Sequence, residues 1–282
     1  MPAENCQLTL KELQAKLYNQ FNLRVSHQAI AKTLDGRTIT LKKVYLEAHN
    51  MNIDDNKRKR NLYVEKINEL ISENKTIFYV DESNVNLFAK RGYGRSILGT
   101  RASIKVASSK GPNIHMLGAI SSIGTSVFEK RRGAYNHTDF NEWVKNLLRS
   151  AIQDGINMDS IVIVCENAPC HSRIENLLEE EEFTGVTILR LAPYSFMLNP
   201  IENVWSAIKS KIKSISATDF HSMIAGDPDR MLTQVEWRLR CVENYIDQSI
   251  AVVNPSMCQR CINHCNKHFV NCIMLRDMEP GC

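Results

Sequence analysis

Two short apolar runs, each followed closely by an acidic residue, constrain the fold most. Ile161 to Val164 has the length and β-branched composition of a buried strand, and Glu166 stands just beyond it. Upstream, Ile77-Phe78-Tyr79-Val80 runs straight into Asp81. A third acid, Glu202, opens a helical stretch after Pro193 and Pro200. Open α/β sheets gather side chains where their strands end, so these acids are expected to meet. Clustered carboxylates repel one another, and a divalent cation relieves that repulsion.

The stretches between the acids supply the rest of the layout. Ile77 to Val80 reads as a central strand, with a second strand possible over Val85 to Phe88. Asn113 to Ser121 and Thr125 to Glu129 read as antiparallel strands joined at Ile123-Gly124. Thr138 is placed to cap a helix from Asp139 to Gln153, with Phe140, Trp143, Val144 and Leu147 inward. The Ile161 strand, a helix near Arg173 to Glu182 and a strand from Val186 to Leu191 complete the series. Antiparallel strands, a helix, a parallel strand, a helix and a strand make an α/β, RNase H-like layout: a mixed sheet flanked by helices.

The front of the chain differs in kind. Thr9-Leu10-Lys11-Glu12 matches a capping box before a helix with Leu10, Leu13, Leu17 and Tyr18 on one face. Ser26 can cap a second helix, His27 to Leu34, and Thr40 to His49 reads as a third. Such a small all-α module suits a helix-turn-helix, whose second helix would offer Ser26, His27, Gln28 and Lys32 to DNA. A generic three-helix bundle fits the same pattern. Lys57-Arg58-Lys59-Arg60 then reads as a basic linker, either nuclear-localising or phosphate-contacting, or as the exposed start of the helix that follows. The domain organisation is thus 1–55 helix-turn-helix, 56–75 basic linker and helix, 76–215 catalytic domain and 216–282 C-terminal helices.

Charge and cysteine usage agree with nucleic acid as partner. Residues 1–75 hold 13 Lys+Arg and 9 Asp+Glu, which is the entire excess of +4. The loop from Lys90 to Lys110 is also basic and could lie along a DNA backbone, or be an ordinary solvated loop. No apolar run is long enough to span a membrane, and MPAENCQLTL lacks the features of a signal peptide. Nine cysteines without such a leader are expected to be reduced thiols in an intracellular protein.

Three segments together carry a family resemblance. They are Tyr79-Val80-Asp81-Glu82-Ser83, Glu166-Asn167-Ala168-Pro169-Cys170-His171, and Pro193-Tyr194-Ser195 with Leu198-Asn199-Pro200-Ile201-Glu202-Asn203-Val204-Trp205. In this order they resemble mariner-superfamily transposases, from about Ile77 to Lys213. The resemblance implies cut-and-paste DNA transposition in the nucleus by an RNase H-like domain. It also implies two Mg²⁺ or Mn²⁺ ions held by Asp81, Glu166 and Glu202. Its partners would be double-stranded DNA (transposon terminal repeats and target) and a second copy of the chain as a homodimer. Asn199-Pro200 would shape the start of the last helix, while Asn167, Pro169 and His171 would be structural. The sequence departs from the family in having Glu166 for Asp, Phe196 for proline, and one helix-turn-helix where two are usual. A catalytically impaired, transposase-derived nuclear DNA-binding protein is therefore the competing reading.

At the C-terminus, Met231 to Ile250 reads as a helix. Cys258, Cys261, Cys265 and Cys272, with His264 and His268, have zinc-like composition. Their spacing alternates by three and four, however, which is one stripe of a continuous helix and favours a core or partner-facing role.

Overall fold

The computed structural model describes residues 6–40, 47–104, 106 and 111–279. The chain divides into a unit of residues 1–48 and a body of residues 49–281.

In the first unit, α1 (Leu10–Phe21) begins at a complete capping box: Glu12 N–H donates to Thr9 Oγ1, and Thr9 N–H donates to Glu12 Oε2. Asn22, in the left-handed region at φ 54°, closes the helix. Ser26 caps α2 (His27–Asp35) by accepting from Ala29 N–H. The two helices pack through Leu13 and Ile30. Of the third helix expected over 40–49, residues 41–46 lie outside the described residues, and 47–50 are not helical.

The body opens with α3 (Asp54–Ser72). The basic run is not a linker: Lys57 to Arg60 form the second turn of this helix, behind the acidic first-turn residues Asp54 and Asp55. Its face of Tyr63, Val64, Ile67 and Leu70 is buried.

The sheet that follows has five strands in the order β3-β2-β1-β4-β5. They are β1 (Thr76–Val85), β2 (Ile114–Ser121), β3 (Ser126–Arg132), β4 (Ile161–Cys165) and β5 (Thr187–Arg190). β1, β2 and β3 pair antiparallel, whereas β4 and β5 run parallel to β1. This is the mixed sheet expected of an RNase H-like fold. The sequence pattern suggested two strands where β1 is one; β2 pairs with it without a break from Phe78 to Val85.

Each face of the sheet carries its own core. Phe78, Val80, Leu117, Ile161 and Ile163 pack under α4 (His137–Gln153), against Phe140, Val144 and Leu148. The cap of α4 is Asn136, two residues earlier in the chain than Thr138; its side chain accepts from Thr138 and Asp139 N–H. On the other face, Ile77, Tyr79, Met116, Val162 and Val164 meet α5 (Pro200–Thr218) through Ile201, Val204, Trp205 and Ile208. Behind it lie α6 (Phe220–Ala225), α7 (Gln234–Ile250), α8 (Pro255–Asn266) and α9 (Phe269–Ile273).

Two expected helices take other forms. Residues 173–182 are short 3-10 turns, Ile174–Glu179 and Glu181–Phe183, that bury Ile174, Leu177 and Phe183. Arg173 is left-handed at φ 61°, and the four acids Glu179 to Glu182 repel along any continuous helix. The cysteine stripe is split between α8 and α9 by a turn at Lys267-His268. Cys258, Cys265 and Cys272 are buried in the core, and no metal-binding group of His, Cys, Asp or Glu occurs among the described residues. No helix among them is long and apolar enough to cross a membrane.

Candidate active site

The strand register brings the first two acids together. Tyr79 pairs with Val164 on β4, so two residues further on Asp81 comes level with Glu166. Side chains alternate along a strand, which puts both on the face covered by α5, with Tyr79 and Val164. Asp81 lies inside β1 and not at its end, contrary to the sequence pattern. The strand is prolonged by its pairing with β2, and only the parallel neighbour β4 stops there. Glu202 then enters from above, in the first turn of α5, where the helix dipole favours an anion.

The turn before α5 sets that approach. Tyr194 is left-handed at φ 55°, and Phe196–Leu198 form a 3-10 turn closed by Leu198 N–H to Ser195 O at 2.8 Å. Met197 and Leu198 are buried, so the segment is anchored even with Phe196 in place of proline. Pro200 occupies the first position of α5, where a missing N–H costs nothing.

The three carboxyls feel one another. Asp81 is pushed up to about 8, first by burial, then by Glu202 and Glu166; the N–H groups of Glu82 and Trp205 only partly oppose this. Glu166 is raised by burial and by Glu202, and Glu202 by burial against the pull of Lys209. A donor set of hard carboxylate oxygens that cannot all carry charge unaided fits a hard divalent cation. Asp81, Glu166 and Glu202 are the residues that would hold it. As placed, they are coupled but do not yet stand close enough together to grip an ion.

Several neighbours were not singled out from sequence. Trp205, one turn after Glu202, donates its indole N–H to Asp81 Oδ2 at 3.1 Å. Its ring lies over Gly118, the residue opposite Asp81 on β2, and meets Phe128 edge-on at 5.5 Å. A Cβ at Gly118 would sit 2.6 Å from the indole and 2.8 Å from Phe128. Arg190, at the end of β5, donates to the backbone carbonyls of Glu166 and His171, both at 2.8 Å. Glu175 holds the same guanidinium through Nε at 2.7 Å and Nη2 at 3.0 Å. Neither contact leaves a trace in local sequence.

Asn167 donates to Leu191 O at 2.8 Å, and buried His171 stacks on Phe140 with ring centres 4.3 Å apart. Burial pushes His171 down to about 4. Among the described residues, neither Oδ1 nor Nδ2 of fully buried Asn199 has a hydrogen-bond partner, although the amide lies near enough to favour charge on Glu166. A cavity of about 270 Å³ opens beside Glu166, lined by Asn167, Ala168, Pro193 and Ser195.

The expected DNA contacts are of mixed character. In α2, Gln28 and Lys32 are exposed, Ser26 is engaged as a cap, and His27 Nε2 is 2.9 Å from Gln14 Oε1. In α3, Arg58 is exposed, Lys59 pairs with Asp55 at 2.6 Å, and Lys57 pairs with Asp277 at 2.5 Å. Arg60 is a correction: only 1 % exposed, it points inward and donates to Met51 O at 2.8 Å and Asn52 Oδ1 at 3.2 Å. It is on the apolar side of the helix with Tyr63, Val64 and Ile67, where no phosphate reaches. Lys105 and Lys110 of the basic loop lie outside the described residues.

Comparison with known proteins places this geometry. A comparison with curated proteins gives no match. Among solved structures, the chain is similar to the Mos1 transposase paired-end complex with left transposon end: TM-score 0.67, 17% identity, covering 97% of this chain and 75% of that one. A Mos1 mariner paired-end complex with Mn gives TM-score 0.67 at 17% identity, covering 99% and 78%. The isolated catalytic domain of Mos1 mariner transposase gives 0.52 at 15% identity, covering 84% of this chain and 100% of that one. These likenesses establish the fold as that of a mariner transposase. The DDE superfamily endonuclease family matches residues 76–224, a span that runs from the first residue of β1 through the turn and helix carrying Glu202, and the chain therefore belongs to the DDE superfamily of endonucleases.

Proposed function

We propose that this protein is a DNA endonuclease and strand-transferase of the mariner transposase type, acting in the nucleus as a homodimer on transposon-end and target DNA. One observation carries the reading. Three carboxyls from β1, the end of β4 and the start of α5 gather under α5: burial raises all three, and repulsion from Glu202 raises Asp81 and Glu166 further. Such an arrangement costs stability and is expected only where a counter-charge is to be bound. The Mos1 complexes with Mn and with Mg support divalent metal as that counter-charge. Asp81, Glu166 and Glu202 would hold two Mg²⁺ or Mn²⁺ ions, which would supply Lewis-acid stabilisation of the attacking and leaving oxygens in an in-line displacement at phosphorus.

The chain's own residues do the positioning. Asp81 is central, level with Glu166 on the neighbouring strand and under Glu202 of α5. Trp205 holds one oxygen of Asp81 through its indole N–H. Glu166 is set from behind, since its carbonyl is bonded to Arg190. Gln28, Lys32, Arg58 and Lys59 are exposed residues of the earlier set and would be available to DNA; Ser26 and His27 are exposed as well but engaged within the first unit.

A second reading rests on Glu166 itself. Its extra methylene displaces the carboxylate, and about 1 Å of misplacement can cost ~100-fold in rate. Under this reading the protein binds DNA without cutting it. The deciding assay is Mn²⁺-dependent nicking of a duplex carrying the terminal repeats that flank the reading frame. Nicking that disappears in Asp81→Ala supports the nuclease. Nicking that appears only in Glu166→Asp identifies a decayed enzyme. Binding with no cleavage by either form rejects the nuclease in favour of the DNA-binding reading.

A further inference from the structure

A second recess lies farther along α5, and none of the three acids lines it. It has a volume of about 700 Å³, and Lys90, Arg91, Tyr93, Lys213, Phe220 and His221 form much of its wall. Lys90 is the fixed part: its ammonium donates to Ser216 Oγ at 2.6 Å and sits 4.6 Å over the Phe220 ring. That contact pins the β1–β2 loop to α5 and α6. Arg91 and Lys213 have no carboxylate partner among the described residues. Tyr93, which also lines the recess, is 86% exposed.

We propose that this recess takes an unpaired DNA nucleotide, with its phosphates on Arg91 and Lys213 and its base stacked on Tyr93. The wall described has several cations and no acid, which fits a polyanion. A free aromatic face beside cations is the seat of an unstacked base, whereas bases inside a duplex cannot reach it. Placement along α5 supports the same occupant. At 100° per residue, Glu202, Lys209 and Lys213 fall within about 20° of one line along the helix, and Lys213 lies about 16 Å from Glu202 along the axis. A strand that passes the three carboxyls and follows this row arrives at the recess.

The inference rests on the reading of the chain as a DNA-processing protein, but its test is independent of cleavage. The full-length protein in EDTA is photo-cross-linked to oligothymidine bearing 5-iodouracil, and the adduct is located by peptide mapping. The proposal expects an adduct in the peptide containing Tyr93. It expects Tyr93→Ala to weaken oligothymidine binding at this adduct roughly tenfold, Tyr93→Phe to retain it, and Arg91→Ala with Lys213→Ala to flatten its salt dependence. An adduct yield unchanged in Tyr93→Ala overturns it. So does equal competition by a fully paired duplex, or by polyglutamate, which would mark a duplex or an acidic protein as the occupant. Because Tyr93 is exposed, its replacement leaves the fold intact, which circular dichroism checks. A protein that cross-links here but never nicks DNA would refute the nuclease reading and leave this one standing.

Discussion

Asp81 pairs a buried carboxyl with two acidic neighbours, and its titration links site to stability. Its folded value is about 8 against an ordinary 3.8. Between those values the folded chain keeps a proton that the unfolded chain has lost, so stability falls as pH rises through that window. Asp81→Asn removes the charge while its side-chain oxygen still accepts from Trp205. In EDTA this variant is expected to melt a few °C above the parent at pH 8 and level with it at pH 4; a lower melting point at pH 8 would contradict the account. Gly118 is the complementary case. A methyl there meets the indole and Phe128 below 3 Å, so Gly118→Ala should cost about 2 kcal/mol in urea unfolding. Asp81, Glu166 and Glu202 were legible in sequence because each adjoins an apolar run or a proline turn. Trp205 stood in the motif without a role, and Gly118 had no signal. Their partners are supplied across the sheet, where only the register decides who meets whom.

At the scale of elements, the Glu175–Arg190 pair deserves comparison with the strand it braces. β4 ends at Cys165, and Glu166 follows with no further ladder bond to β1. Arg190 substitutes for that missing ladder by donating to the carbonyls of Glu166 and His171 while Glu175 fixes its plane. A lysine carries the same charge but lacks the fork needed for these contacts together. Arg190→Lys is therefore expected to weaken Mn²⁺ binding about tenfold, read by electron paramagnetic resonance titration, with Glu175→Gln intermediate. Unchanged affinity in both would make the pair merely structural. The same element shows why the helix expected near residue 175 did not form. Consecutive acids from Glu179 to Glu182 and a left-handed Arg173 leave only short turns, which bury Ile174, Leu177 and Phe183. The basic run erred in the opposite direction: its charge density read as solvated linker, whereas Arg60 is one of the inward residues of α3.

At the scale of the whole molecule, charge and core are divided between the two units. Residues 1–48 carry seven Lys+Arg against four Asp+Glu, but bury only Leu13 and Ile30 among their described apolar side chains. The body of residues 49–281 contains both sheet cores and all three acids. Both sheet cores are built from the body's own residues, from Met51 to Met278. Residues 49–282 alone are therefore expected to unfold cooperatively at nearly the full-length melting temperature. Their DNA affinity should respond differently. Each phosphate contact contributes about −0.9 to the slope of log K against log salt, so losing the first unit should flatten that slope by roughly 2 to 4 on duplex DNA. Arg58→Ala with Lys59→Ala should remove a further 1 to 2 from the same slope. Arg60→Ala, by contrast, should leave the slope alone and lower stability by about 2 kcal/mol, since its bonds to Met51 and Asn52 are internal. Salt titration of duplex binding and urea unfolding together separate these effects. A truncated chain with an unchanged slope would move the DNA contacts into the body, to the basic loop and the lysine row of α5.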